Sequence, residues 1–168
     1  LVRSYQAAAS YADEMIGRLL DALDATGRAD ATVIVLWSDH GYHLGDKESV
    51  VKFTLWEMAC RVPLVIVAPG VTEPGTRIDT PVDLVDLYPT LVELAGLPSK
   101  PGLDGESLVP LLKNPGACRE TPAITTFLEG NHAIATKDWR YLRYADGSEE
   151  LYRAGDVWNH ENVASDPG

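Results

Sequence analysis

Val33-Ile34-Val35-Leu36-Trp37-Ser38-Asp39-His40-Gly41 is an apolar, largely β-branched run that stops at an acid, an imidazole and a glycine. Such a run reads as a buried strand of a parallel sheet, delivering polar groups at its carboxyl end. Open α/β sheets bind ligands outside the carboxyl ends of their strands, so Asp39 and His40 fall where chemistry is usually done. Carboxylate oxygen and imidazole nitrogen both coordinate divalent metals, and Gly41 lets the backbone turn without a Cβ clash.

Working outward, Ala8, Ala12, Met15, Ile16, Leu19, Leu20 and Leu23 recur at helical spacing, and Gly27 is a natural stop. The pattern predicts a helix over 4–23, a strand over 32–37, a short helix within 48–59 and a second buried strand over 64–68 ended by Pro69-Gly70. A further helix is expected over 83–95, capped near Thr80 or entered through Pro81. Strand, helix and strand in alternation make this an α/β arrangement with a parallel or mixed sheet flanked by helices. Two strands alone leave greasy edges open, so the sheet needs more strands from elsewhere or from self-association.

The texture changes after Leu97-Pro98-Ser99-Lys100-Pro101-Gly102. We divide the chain into an α/β part, residues 1–98, a linker, 99–106, and a small antiparallel α+β subdomain, 107–168. The last has a helix near 107–113 and short strands over 123–127, 132–136, 141–144 and 149–152, with Asp146-Gly147 as a hairpin turn. The polar stretch from Asn159 to Gly168 reads as a surface tail.

A chain of 168 residues with 45% hydrophobic content is long and apolar enough for a folded domain. No apolar run approaches the ~20 residues of a membrane helix, so no membrane span is expected. The net charge of −11 argues against nucleic acid as a partner, because such binding needs clustered Lys and Arg. Two cysteines far apart in sequence supply no disulfide framework, and Cys60 reads as a small core residue.

The ordered set Ser38-Asp39-His40-Gly41-Tyr42-His43-Leu44-Gly45-Asp46, Lys52, Leu55-Trp56-Glu57 and Arg61-Val62-Pro63-Leu64 through Pro69-Gly70 resembles the type I sulfatases. The likeness is to the iduronate-2-sulfatase-like and choline-sulfatase-like branches of the alkaline phosphatase superfamily. Tyr11-Ala12-Asp13, Asp83-Leu84-Val85-Asp86-Leu87-Tyr88-Pro89-Thr90-Leu91, Leu103-Asp104-Gly105, Trp139-Arg140-Tyr141 and Glu150-Leu151-Tyr152 extend the likeness in the family's order. The resemblance implies an alkaline-phosphatase-like fold and hydrolysis of sulfate esters by a formylglycine nucleophile with a divalent metal, usually calcium. Asp39 and His40 would be metal ligands, and Lys52 would be the catalytic lysine that binds the sulfate. An exported location, periplasmic or extracellular, is common in the family.

Two departures matter. The formylglycine precursor is a Cys or Ser in a Cys/Ser-x-Pro/Ala-x-Arg motif, and neither Cys60 nor Cys118 is followed by that pattern. The family's early Asp-Asp pair is also missing. We therefore expect the C-terminal portion of such an enzyme, carrying half a site and inactive alone. The segment from Asp46 to Val50 also replaces the Gly, His and Trp usual before the lysine.

His43 has two readings at this stage, facing the substrate or packing under the loop. Glu57 and Arg61 read as structural polar contacts, and Trp37, Trp56 and Tyr88 as core residues. Nothing beyond its identity marks His132. The excess of acidic residues would repel a sulfate ester unless Lys52 and a bound cation reverse the field locally. A phosphonate monoester or phosphodiester hydrolase of the same superfamily, and a non-catalytic association module, are the competing readings.

Overall fold

The computed structural model describes residues 1–50, 52–156 and 158–165. Helix α1, Val2–Ala25, leads through a single 3-10 turn into strand β1, Ile34–Trp37. A long loop then carries the one-turn helix α2, Glu57–Cys60, before strand β2, Leu64–Val67. Helix α3, Leu87–Leu94, follows a 3-10 turn over Leu84–Asp86. The remainder is helix α4, Val109–Lys113, and four strands: β3, Ala123–Thr126; β4, His132–Ala135; β5, Trp139–Arg143; and β6, Glu149–Arg153.

The α/β class holds, but β1 and β2 run antiparallel, Ile34 facing Val67 and Trp37 facing Leu64. The expectation of parallel strands assumed a helical crossover between them. The connection instead loops out from the end of β1 and returns beside it, and among the described residues its only α-helix is one turn long. The second sheet is an antiparallel meander in the order β3-β4-β5-β6. The β5–β6 turn is the expected one: Asp146 accepts hydrogen bonds from the Ser148 N–H and hydroxyl, and Gly147 takes φ of 86°.

Buried residues fall mainly in two places, the meander with the loop packed on it and the α3–α4 region, where Leu87, Thr90, Leu108, Val109 and Leu111 are buried. Leu142, Tyr152 and Ala133 form a buried cluster together with Leu55, which comes from the loop between β1 and β2. No residue of α1 is buried, and Leu19 is 71% exposed. Trp37 and Tyr88, read as core from their bulk, are half exposed, whereas Trp56 packs against the cluster.

Polar side chains bolt the pieces together. Asp83 and Asp86 form a capping box at the entry to α3, so the cap lies at Asp83 rather than at Thr80 or Pro81. Fully buried Asp86 also accepts from the Glu106 N–H at 2.8 Å and pairs with Arg119 at 2.8 Å. Thr90 donates to the Asp86 carbonyl and accepts from the Leu108 N–H at 2.8 Å. Residues 105–108 are thus fastened along α3, and Gly105 sits so close that a Cβ there would lie 2.2 Å from the Val85 carbonyl oxygen.

Candidate functional site

The loop leaving β1 places Asp39 and His40 in the lining of an open groove of about 1340 Å³. The His40 Nδ1 lies 2.8 Å from the Gly41 carbonyl oxygen. A carbonyl only accepts, so Nδ1 carries the proton and Nε2 presents its lone pair. Lys52 Nζ donates to that Nε2 at 2.6 Å, and an Asp39 carboxylate oxygen lies 3.2 Å from it. Acid, imidazole and ammonium therefore converge on one point, with Asp39 open to solvent and His40 partly so.

Gly41 is required here for closeness. Its N–H donates to the Ala59 carbonyl at 2.8 Å, and a Cβ would lie 1.9 Å from the Met58 carbonyl oxygen. The expected reason, a sharp turn, is replaced by a near contact between the Asp-His-Gly backbone and α2.

His43 lies apart from the cluster. Its ring is fully buried, with Nδ1 donating to the Asp46 carboxylate and Nε2 paired with Thr54 Oγ1 at 2.7 Å. Both nitrogens are engaged under the loop. Burial pushes the Asp46 carboxyl upward, but hydrogen bonds from His43 and from the N–H groups of Leu44 and Asp46 outweigh it and hold the group below its usual 3.8.

The atypical segment is anchored by contacts that sequence reasoning missed. Lys47 and Glu48 both take positive φ, 49° and 55°. Lys47 Nζ donates to Tyr152 OH at 3.0 Å and lies over the Trp56 ring at 4.6 Å. Glu150 accepts from Trp56 Nε1 at 2.8 Å, Tyr152 OH at 2.5 Å and Tyr144 OH at 3.1 Å. Burial, with the Glu150 carboxylate beside them, pushes both phenols up, so they remain hydrogen-bond donors.

A second clamp holds α2. Arg140 is 7% exposed; it donates to Glu57 at 2.7 Å and to the Leu55 carbonyl at 3.3 Å. Buried Asn159 accepts from the Glu57 N–H at 2.7 Å. Arg61 lies 3.7 Å from the same carboxylate, so Glu57 and Arg61 are structural contacts in this chain. One signal for Arg140 was present: strand alternation puts it on the face of Leu142, and an inward arginine needs an acid.

Basic and acidic side chains line the groove in equal numbers, although the whole chain carries −11. The site is therefore less negative than its surroundings, which favours entry of an anion. Burial pushes the Cys60 thiol upward, so little thiolate forms there. His132 pairs with Thr126 on the meander.

The donor set fits a divalent cation in part. A carboxylate oxygen and an imidazole lone pair face the same space, and the Gly41 carbonyl orients the ring as outer partners of metal-bound histidines do. Among the described residues no group of three or more His, Cys, Asp or Glu side chains could hold a metal ion. No helix among them is long and apolar enough to cross a membrane.

Residues 1–97 match the model of the Sulfatase family. The chain is 42% identical over 152 residues to a sulfatase of Formosa agariphila, covering 90% of this chain and 30% of that protein. It is similar to the solved complex of BT4656 with its substrate D-glucosamine-2-N,6-O-disulfate, with a TM-score of 0.79 at 28% identity, covering 90% of this chain and 33% of that one. It is also similar to the phosphonate monoester hydrolase of Silicibacter pomeroyi, with a TM-score of 0.77 at 29% identity, covering 92% and 35%. The chain thus spans about a third of the length of the relatives it matches. On the family match and the identity to the Formosa protein, this chain belongs to the sulfatase family.

Proposed function

We propose that the chain is the C-terminal portion of a sulfuric ester hydrolase, supplying two metal ligands and the sulfate-binding lysine to a site completed by the rest of the enzyme. The observation that carries the reading is the convergence of Asp39, His40 and Lys52, with Lys52 Nζ 2.6 Å from His40 Nε2. A bound divalent cation, calcium by family likeness, would supply charge neutralisation and polarisation of the ester. The chain's own residues do the rest. The Gly41 carbonyl fixes the imidazole tautomer, leaving Nε2 and the Asp39 carboxylate as ligands. Lys52 donates its ammonium protons to a nonbridging sulfate oxygen as negative charge builds there. His43, held between Asp46 and Thr54, positions the intervening loop and does not touch the substrate.

The formylglycine nucleophile belongs to the missing portion in this reading, so the isolated chain has no sulfatase activity. That portion also covers α1 and the β1–β2 face, unless copies of this chain pair there instead. An exported compartment follows from family likeness alone.

In the full-length enzyme, Lys52→Ala is expected to lower kcat for sulfate esters about 10²–10³-fold with an unchanged melting temperature, by analogy with loss of an oxyanion-hole donor. Undiminished turnover would remove Lys52 from the site. Similarity to a phosphonate monoester hydrolase supports a second reading in which the same groups serve a phosphonate or phosphate diester. Faster turnover of phosphonate monoesters than of sulfate esters by the same preparation would favour it.

A further inference from the structure

Beside the ammonium of Lys52 stands a pair of phenyl rings that the charged site does not use. Phe53 follows Lys52 directly, is 64% exposed, and stacks on Phe127 with ring centroids 5.8 Å apart and planes 19° off parallel. Lys52 Nζ lies 5.5 Å from the Phe53 centroid, and both rings line the groove that holds Asp39 and His40. The two rings lie 74 positions apart in the chain. Phe127, at the end of β3, packs against the buried cluster of Leu142 and Tyr152. The tight β3–β4 turn holds it there: the Phe127 N–H donates to the Asn131 carbonyl at 3.0 Å, and Leu128 takes a positive φ of 60°. Phe127 is thus the fixed ring, and Phe53 leans on it into the groove.

We propose that this pair is the platform for the alcohol side of the ester, selecting sulfate esters whose alcohol presents a flat apolar ring face, aryl or pyranose. The proposal rests on the sulfate-ester reading above and names its substrate class. An anionic head on Lys52 leaves the alcohol within reach of the adjacent phenyl, and a ring face covers exposed aromatic surface that a compact alkyl group leaves wet. A quaternary ammonium alcohol also favours aromatic faces, but the Lys52 cation 5.5 Å from the Phe53 ring opposes a second positive charge.

The test is steady-state kinetics of the full-length enzyme on 4-nitrophenyl sulfate, glucosamine 6-sulfate, ethyl sulfate and choline O-sulfate. Phe53→Ala is expected to raise KM for the two ring esters roughly three- to tenfold, with kcat changed less than twofold and ethyl sulfate unaffected. Phe127→Leu, which keeps apolar volume at the margin of the core, is expected to shift the same KM values in the same direction. Equal changes for ring and alkyl esters, no change, or the largest change on choline O-sulfate would overturn the platform. If those results appear while Lys52→Ala still lowers kcat about 10²–10³-fold, the platform alone falls. If the wild-type enzyme hydrolyses none of the four esters, the sulfate-ester reading falls with it.

Discussion

Helix α1 carries Ala12, Ile16, Leu19 and Leu23 at helical spacing and buries none of its residues, whereas the five-residue strand β5 holds Leu142 at 0% exposure and Arg140 at 7%. The helix that precedes Asp39, His40 and Lys52 therefore contributes no buried residue within this chain. The C-terminal meander contributes no metal ligand in our reading, yet it encloses Leu55 and grips Trp56 and Glu57. Chemistry and cohesion lie in different regions, and the segment after Lys52 joins them. A change deep in the meander should therefore reach the site more strongly than a change on α1.

The largest effect is expected at Arg140. Arg140→Leu leaves the Leu55 carbonyl without its donor and Glu57 with only the 3.7 Å contact to Arg61, and breaking a largely buried pair in this way costs up to about 3–5 kcal/mol. Urea unfolding monitored by Trp fluorescence measures it; a loss under ~1 kcal/mol would mean that the clamp is not what holds the site loop.

A smaller effect is expected at Asp46. Its carboxylate accepts a hydrogen bond from buried His43, and bonds to charged groups contribute about 1.5–3 kcal/mol. The folded carboxyl titrates below its usual 3.8, so its contribution is full above that value and is lost as pH falls through the lower folded one. Asp46→Asn should therefore be less stable than wild type at neutral pH, and its stability should fall less steeply below pH ~4. Parallel acid limbs for the two proteins would show that the His43–Asp46 contact contributes nothing.

The smallest effect is expected on α1. Leu19→Ser should change the stability of this chain by under ~0.5 kcal/mol, as exposed substitutions usually do. A loss above ~2 kcal/mol, or a concentration-dependent melting temperature that the substitution abolishes, would show that α1 is packed, and the contrast between the regions would break.

Much of the architecture was legible because it is local. Helical spacing marked α1, β-branched runs marked β1 and β2, and Asp146-Gly147 marked the β5–β6 hairpin. β5 begins at Trp139, two residues before the expected start, because the Thr136 N–H already bonds the Trp139 carbonyl at 2.8 Å to close the preceding turn. Strand direction was not legible, since an apolar run looks the same whichever way its neighbour points. The exposure of Trp37 and Tyr88 was not legible either, because reading a bulky apolar residue as core assumes that a covering layer is present.

The site divides in the same way. Spacing alone does not bring Lys52 to His40; likeness to the family supplied that expectation, and the loop folding back over α2 supplies the contact. His43 could not be assigned from its identity, because its burial depends on Thr54 and on the turn at Asp46. The pairing of Glu57 with Arg140 across 83 positions and the stacking of Phe53 on Phe127 are products of tertiary docking.

The most direct test is an anomalous-difference map of the full-length enzyme soaked with Mn²⁺. The account predicts one peak about 2.0–2.6 Å from both an Asp39 carboxylate oxygen and His40 Nε2, with Lys52 Nζ moved off the imidazole. A fully occupied metal peak that touches neither Asp39 nor His40 would contradict it.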